Sequence, residues 1–171
     1  MVCFIVIIFM HQYTCMKQKN HPGVYIPPPL IYIAFFFLAV LLQKWISLNS
    51  SFLHNTAAKT IGWMAIAAGV SLVLPAVWKF FVSKNTVITM KPASSLQTTG
   101  IYRVTRNPMY LGMLLLYCGI GVFKGSWWTF IVMPLLIMTV QLYVIMKEEH
   151  YLQRAFGNEY LLYKKKVRRW I

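Results

Sequence analysis

The sequence predicts an all-α, polytopic membrane protein with four transmembrane helices, on three observations. Hydrophobic residues make up 58% of the 171 and charged residues only 12%, about half the charge of an ordinary soluble domain. The apolar residues are gathered in blocks rather than spread at amphipathic spacing. The net charge of +14, from 17 Lys and Arg against three acids, falls mostly between and beyond the blocks. There it acts as an orientation signal and favours anionic lipid head groups. Nucleic-acid binding is not expected, because no soluble domain is left to perform it.

Residues 1–10 (MVCFIVIIFM) are apolar but too short to cross a bilayer, and no positive charge precedes them as a signal peptide requires. They read as an interfacial or partial helix, and a fifth span arises only if this piece inserts. Residues 17–29 form a proline-rich connector that cannot be helical throughout. Residues 1–29 are therefore an N-terminal region, and 30–171 the membrane domain.

The four spans are residues 30–48, 61–82, 109–123 and 127–146, followed by a tail, 147–171. Pro75 and Pro134 lie inside spans two and four, where a membrane helix usually kinks. The turn Lys124-Gly125-Ser126 is so short that spans three and four must be antiparallel neighbours. Lys84, Lys91, Arg103 and Arg106 lie in the long loop, and Arg154, Lys164, Lys165, Lys166, Arg168 and Arg169 in the tail. The other side has Lys59 and Lys124, so both termini and the long loop are expected to be cytoplasmic.

Two polar stretches meet at the cytoplasmic mouth of the hairpin: residues 98–112 (TTGIYRVTRNPMYLG) and 147–163 (KEEHYLQRAFGNEYLLY). Adjacent carboxylates, Glu148 and Glu149, at the end of an apolar span need a partner or a role. A helix C-terminus moreover repels anions. Either the helix runs on past Glu149 or a positive group sits there, supplied by Arg103 and Arg106 or by a cationic ligand. Asn107 and Pro108 suit the N-cap and first turn of a helix, whose free N–H groups can hold an anion. Gly112 would allow close approach of a helix or a flat ring.

Cys3, Cys15 and Cys118 are isolated, and the four histidines form no metal motif, so no metal is expected; His150 alone lies near the mouth. The chain has no Asp, which excludes a Ser–His–Asp set, and no glycine-rich phosphate loop. Tyr143, Tyr151, Tyr160, Tyr163 and Trp170 read as an interfacial aromatic belt, and the basic KKKVRR tail as a lipid head-group contact.

Together the T-x-G-x-Y-R run, R-N-P-x-Y-x-G, the E-E pair and F-G-x-E-Y-x-x-Y-x-x-x-V, in order over about residues 94–167, resemble the integral-membrane methyltransferase superfamily. That superfamily includes isoprenylcysteine carboxyl methyltransferases and phospholipid N-methyltransferases. The resemblance implies S-adenosylmethionine as cofactor, in a cytoplasmic pocket at the hairpin mouth. It assigns cofactor binding to Ser94, Ser95, Leu96, Gln97, Tyr102, Asn107, Pro108, Met109, Tyr110, Gly112 and Glu148. Catalysis falls to Arg106, Asn107, Tyr110 and Glu149.

The implied acceptor is lipid-like or isoprenylated and arrives from the bilayer; a phospholipid amine is the alternative. Prenylcysteine enzymes carry His at Asn107 and Arg at Val144, and both departures resemble the phospholipid branch. Membrane sterol reductases, which use a nicotinamide cofactor, are a rival on a related motif, but they carry an R-D-type pair where this chain has Glu148-Glu149. A non-catalytic scaffold is the other rival, opposed by the retention of both polar stretches.

Overall fold

A computed structural model of the chain describes residues 22–82 and 95–170. The expected N-terminal helix, 1–16, lies outside the described residues, as does most of the loop after span two. Among the described residues there are helices and no strand: α1 Pro28–Trp45, α2 Thr56–Val82, α3 Pro108–Lys124, α4 Trp127–Thr139 and α5 Met146–Lys166. Short 3-10 turns at Ser51–His54 and Gly100–Arg103 precede α2 and α3, and a π-helical segment, Val140–Ile145, joins α4 to α5 without a break.

α1, α2 and the helical run from Trp127 to Lys166, kinked at Gly157, are long and apolar enough to cross a membrane; α3, at 17 residues, is a shorter apolar helix. The outward faces carry Phe37, Leu41, Trp63, Trp78, Leu135 and Met138. Hydrocarbon accommodates so large an apolar surface and water does not. The chain is thus built as a membrane protein.

α1 and α3 both begin at a proline, where the missing N–H leaves no bond unmade. α3 ends at Gly125, whose left-handed conformation (φ 62°) lets its N–H reach the Val122 carbonyl at 2.9 Å. Across that turn, the Trp127 and Trp128 indoles donate to the carbonyls of Asn49 and Ile46 at 3.0 and 2.8 Å. These bonds hold the α3–α4 turn against the α1–α2 connection. At the opposite end, the Tyr143 hydroxyl accepts from the N–H groups of Tyr25 and Ile26. The connector before α1 therefore shares an end with the hairpin mouth, as an even number of spans requires.

α2 and α3 pack through glycines. A Cβ on Gly112 would stand 2.8 Å from the Gly69 carbonyl and 2.6 Å from Val73; one on Gly119 would stand 2.8 Å from the Gly62 carbonyl. Two backbone contacts about two turns apart bring the helices together, as small residues do between membrane helices. Of the two approaches Gly112 could allow, a helix or a flat ring, a helix takes the side its Cβ would face. The main core joins α1, α3, α4 and the π segment through Val24, Tyr32, Tyr110, Leu136, Val140, Val144 and Ile145.

Candidate active site

The two polar stretches meet at the hairpin mouth. Both answers to the charge problem of Glu148-Glu149 hold: the helix runs on well past Glu149, and cations sit against Glu149. The two carboxylates have different surroundings. Glu149 is buried and surrounded by positive charge. Arg106 Nη1 lies 2.9 Å from its Oε1, Arg169 grips both oxygens through Nε and Nη2 at 2.9 and 2.7 Å, and Lys164 stands 4.0 Å away. Hydrogen bonding to Glu149 raises the Arg169 pKa against the effect of its burial.

Glu148, two residues past the apolar span, is only partly screened from solvent. It accepts from the Tyr110 hydroxyl at 2.7 Å, and among the described residues no cation pairs with it. Burial pushes its pKa up to about 7; the Tyr110 hydrogen bond opposes the shift and the charge of Glu149 adds to it. Tyr110 is held in turn, its carbonyl accepting from the Tyr32 hydroxyl at 2.9 Å. Tyr102 lies within electrostatic reach of Glu148. Its phenol is pushed up by burial, then by Tyr163 and Glu148, and so remains a neutral donor. The Tyr163 hydroxyl donates to the Tyr102 carbonyl at 2.6 Å.

Several expectations are corrected by these contacts. Asn107 flanks α3, but its side chain does not cap the helix; Nδ2 donates 3.0 Å to the Arg169 carbonyl. Arg106, as well as pairing with Glu149, donates from Nη1 to the Tyr160 hydroxyl at 3.3 Å. Arg106 and Glu149, to which the resemblance assigns catalysis, are paired with each other, a contact that leaves that assignment open to experiment. Arg103 is exposed and outside that cluster. Tyr151, Tyr160 and Tyr163 are buried and do not form an interfacial belt. Ser94 lies outside the described residues, while Ser95, Leu96 and Gln97 form a loop in which Gln97 Nε2 donates to Ser95 Oγ at 2.9 Å. Tyr102, Pro108, Met109 and Tyr110 line the start of α3 or the turn before it.

Two features were not read from the sequence. The π segment ends three residues before Glu148, and such insertions are frequent at functional sites. Nothing in Val140–Ile145 signals it, because side-chain periodicity hardly changes over so short a stretch. The second is the chain after α5, which folds back across the mouth. The Arg168 carbonyl accepts from Arg106 N–H at 3.0 Å, and the Arg169 carbonyl from Thr105 Oγ1 at 3.1 Å. Trp170 Nε1 reaches Gln141 Oε1 at 3.4 Å. A tryptophan in a run of cations was the one available hint.

Residues 57–159, from α2 into α5, match the phospholipid methyltransferase family. The chain belongs to that family. Phospholipid methyltransferase family members are membrane methyltransferases, which places this chain with the transferases and apart from the reductase rival. An uncharacterised protein of Haemophilus influenzae is 36% identical over 63 residues, 37% of this chain and the whole of that protein. No solved structure matches.

Proposed function

We propose that this phospholipid methyltransferase family member transfers the methyl group of S-adenosylmethionine to a lipid-borne amine at the hairpin mouth. Glu148 carries the reading: among the described residues it is a carboxylate partnered by one hydroxyl, next to a twin surrounded by three cations. The residues fit the cofactor, which has a sulfonium cation and a carboxylate. Glu148 would hold the cation, with the ring and hydroxyl of Tyr110 beside it. Among the described residues Arg106 Nε is buried without a hydrogen-bond partner, a donor suited to the cofactor carboxylate, as are the N–H groups at the start of α3.

The chemistry supplied by the bound cofactor is a methyl group made electrophilic by a positive sulfur. The residues of this chain bind, orient and exclude water. Val144, fully buried in the core, offers no cation for a carboxylate acceptor, and Lys147 Nζ lies over the Tyr143 ring at 4.0 Å. An amine acceptor needs no such cation. The site faces the cytoplasm in this reading, with residues 30–171 as the catalytic unit and the exposed lysines of the tail on anionic lipid.

Calorimetry of S-adenosylmethionine on the detergent-purified protein tests the site: heat of binding in the wild type and its loss in folded Glu148→Gln are expected. Labelled methyl transferred to lipid tests the acceptor, because a methyl ester releases methanol in base and an N-methyl group does not. No binding in the wild type, unchanged binding in Glu148→Gln, or a base-labile product refutes the corresponding part.

A further inference from the structure

The chain after α5 touches both halves of the site, and one residue makes most of the connections. The Arg169 guanidinium makes two hydrogen bonds to buried Glu149, at 2.9 and 2.7 Å. The carbonyl of the same residue takes the Thr105 hydroxyl and the Asn107 amide, at 3.1 and 3.0 Å. The first pair of bonds fixes it to α5, one residue from Glu148. The second fixes it to the residues that set where α3 begins, three before Tyr110. Its neighbours extend the seam, Arg168 to Arg106 N–H and Trp170 to Gln141 in the π segment.

We propose that Arg169 is a positioning residue of the methyl-transfer site, setting the distance between the α3 start and the Glu148 end of α5. This rests on the reading of the site as the place where S-adenosylmethionine binds. Elsewhere α3 is packed against α2 through glycine, and the α3 start meets the segment before the Glu pair through the apolar contacts of Tyr110 with Val140, Val144 and Ile145, which carry no directional bond. Tyr110–Glu148 is a single hydrogen bond between them, and Arg106–Glu149 a single ion pair. Arg169 adds a planar fork on one side and a shared carbonyl on the other, an arrangement that restricts both translation and rotation.

By drawing the Asn107 amide away from the helix end, the Arg169 carbonyl also leaves the N–H groups of Met109 and Tyr110 without a side-chain cap. The guanidinium faces Glu149 rather than a lipid surface, which separates Arg169 from the exposed Lys165, Lys166 and Arg168 nearby. The family match ends at residue 159 and does not include it.

The test uses full-length protein in detergent, with Arg169→Ala, Arg169→Lys, and Arg154→Ala as a charge control on an exposed part of α5. Thermal midpoints are measured beside cofactor affinity and, in turnover, the KM for each substrate. Arg169→Ala is expected to weaken cofactor binding at least tenfold and raise the cofactor KM, with the acceptor KM unchanged. Arg169→Lys, with the charge but not the fork, is expected to recover part of the loss, and Arg154→Ala to match the wild type. A purely structural clasp would lower the midpoint and leave the affinity of folded protein untouched, which overturns the proposal. So does equal loss in Arg154→Ala, which would make the effect one of net charge. If Arg169→Ala cannot be recovered folded, wild-type affinity in Arg169→Lys overturns it as well. Failure of the underlying reading is seen separately, as a wild type that binds no cofactor.

Discussion

Acidifying the protein should weaken its hold on S-adenosylmethionine by an amount set by Glu148. Its pKa of about 7 arises from burial and the neighbouring Glu149, against the Tyr110 hydrogen bond. A carboxyl that must be ionised to hold a cation favours binding above that value and has to lose a proton below it. About one Glu148 in ten is ionised at pH 6 and about nine in ten at pH 8, so affinity should change about tenfold between them, or about 1.4 kcal/mol. Binding near pH 7 should release about half a proton. Calorimetry in buffers of different ionisation enthalpy measures both quantities. Glu148→Gln supplies the baseline for titration of the ligand itself. S-adenosylhomocysteine, a neutral thioether at the same position, should lack the Glu148-dependent component. Affinity for the sulfonium that is flat from pH 6 to 8 after that correction, or that improves in acid, refutes the placement of Glu148 against the positive sulfur.

Removing the Tyr110 hydroxyl in Tyr110→Phe takes away a hydrogen bond that lowers the Glu148 pKa, so the midpoint of the same profile should move to higher pH; an unmoved midpoint contradicts the 2.7 Å hydrogen bond. Gly112→Ala forces a methyl against the Gly69 carbonyl and Val73 and should cost about 1–3 kcal/mol of stability, read by denaturant titration in micelles. A loss of cofactor affinity at unchanged stability would instead place Gly112 in the cofactor site. Gly157 breaks α5 with φ 51° and ψ −123° in open space, so Gly157→Ala should cost about 1–3 kcal/mol through backbone strain alone. An unchanged thermal midpoint would show that the break relaxes without cost.

The membrane class, the order of the helices and the meeting of the two polar stretches were legible in the chain. Hydrocarbon selects for apolar blocks of helical length, and the three-residue turn at Gly125 leaves its helices no other geometry. The family was legible because its motifs occupy contiguous stretches in a constant order. What separates Glu148 from Glu149 was not legible. Adjacent residues on a helix point about 100° apart, so one carboxylate turned toward Arg106, Arg169 and Lys164 while the other, among the described residues, met the Tyr110 hydroxyl.

That assignment depended on Arg169, which lies 20 residues further along the chain and carries no local mark distinguishing it from the cations around it. The direction of Gly112 had the same origin: its small size permits close approach, but only the position of α2 decides what approaches. Sequence alone determined which chemistry could gather at the mouth, because composition and motif act locally. Tertiary structure decided which of those groups neutralise one another and which remain available to a ligand, because pairing depends on distances between segments far apart in the chain.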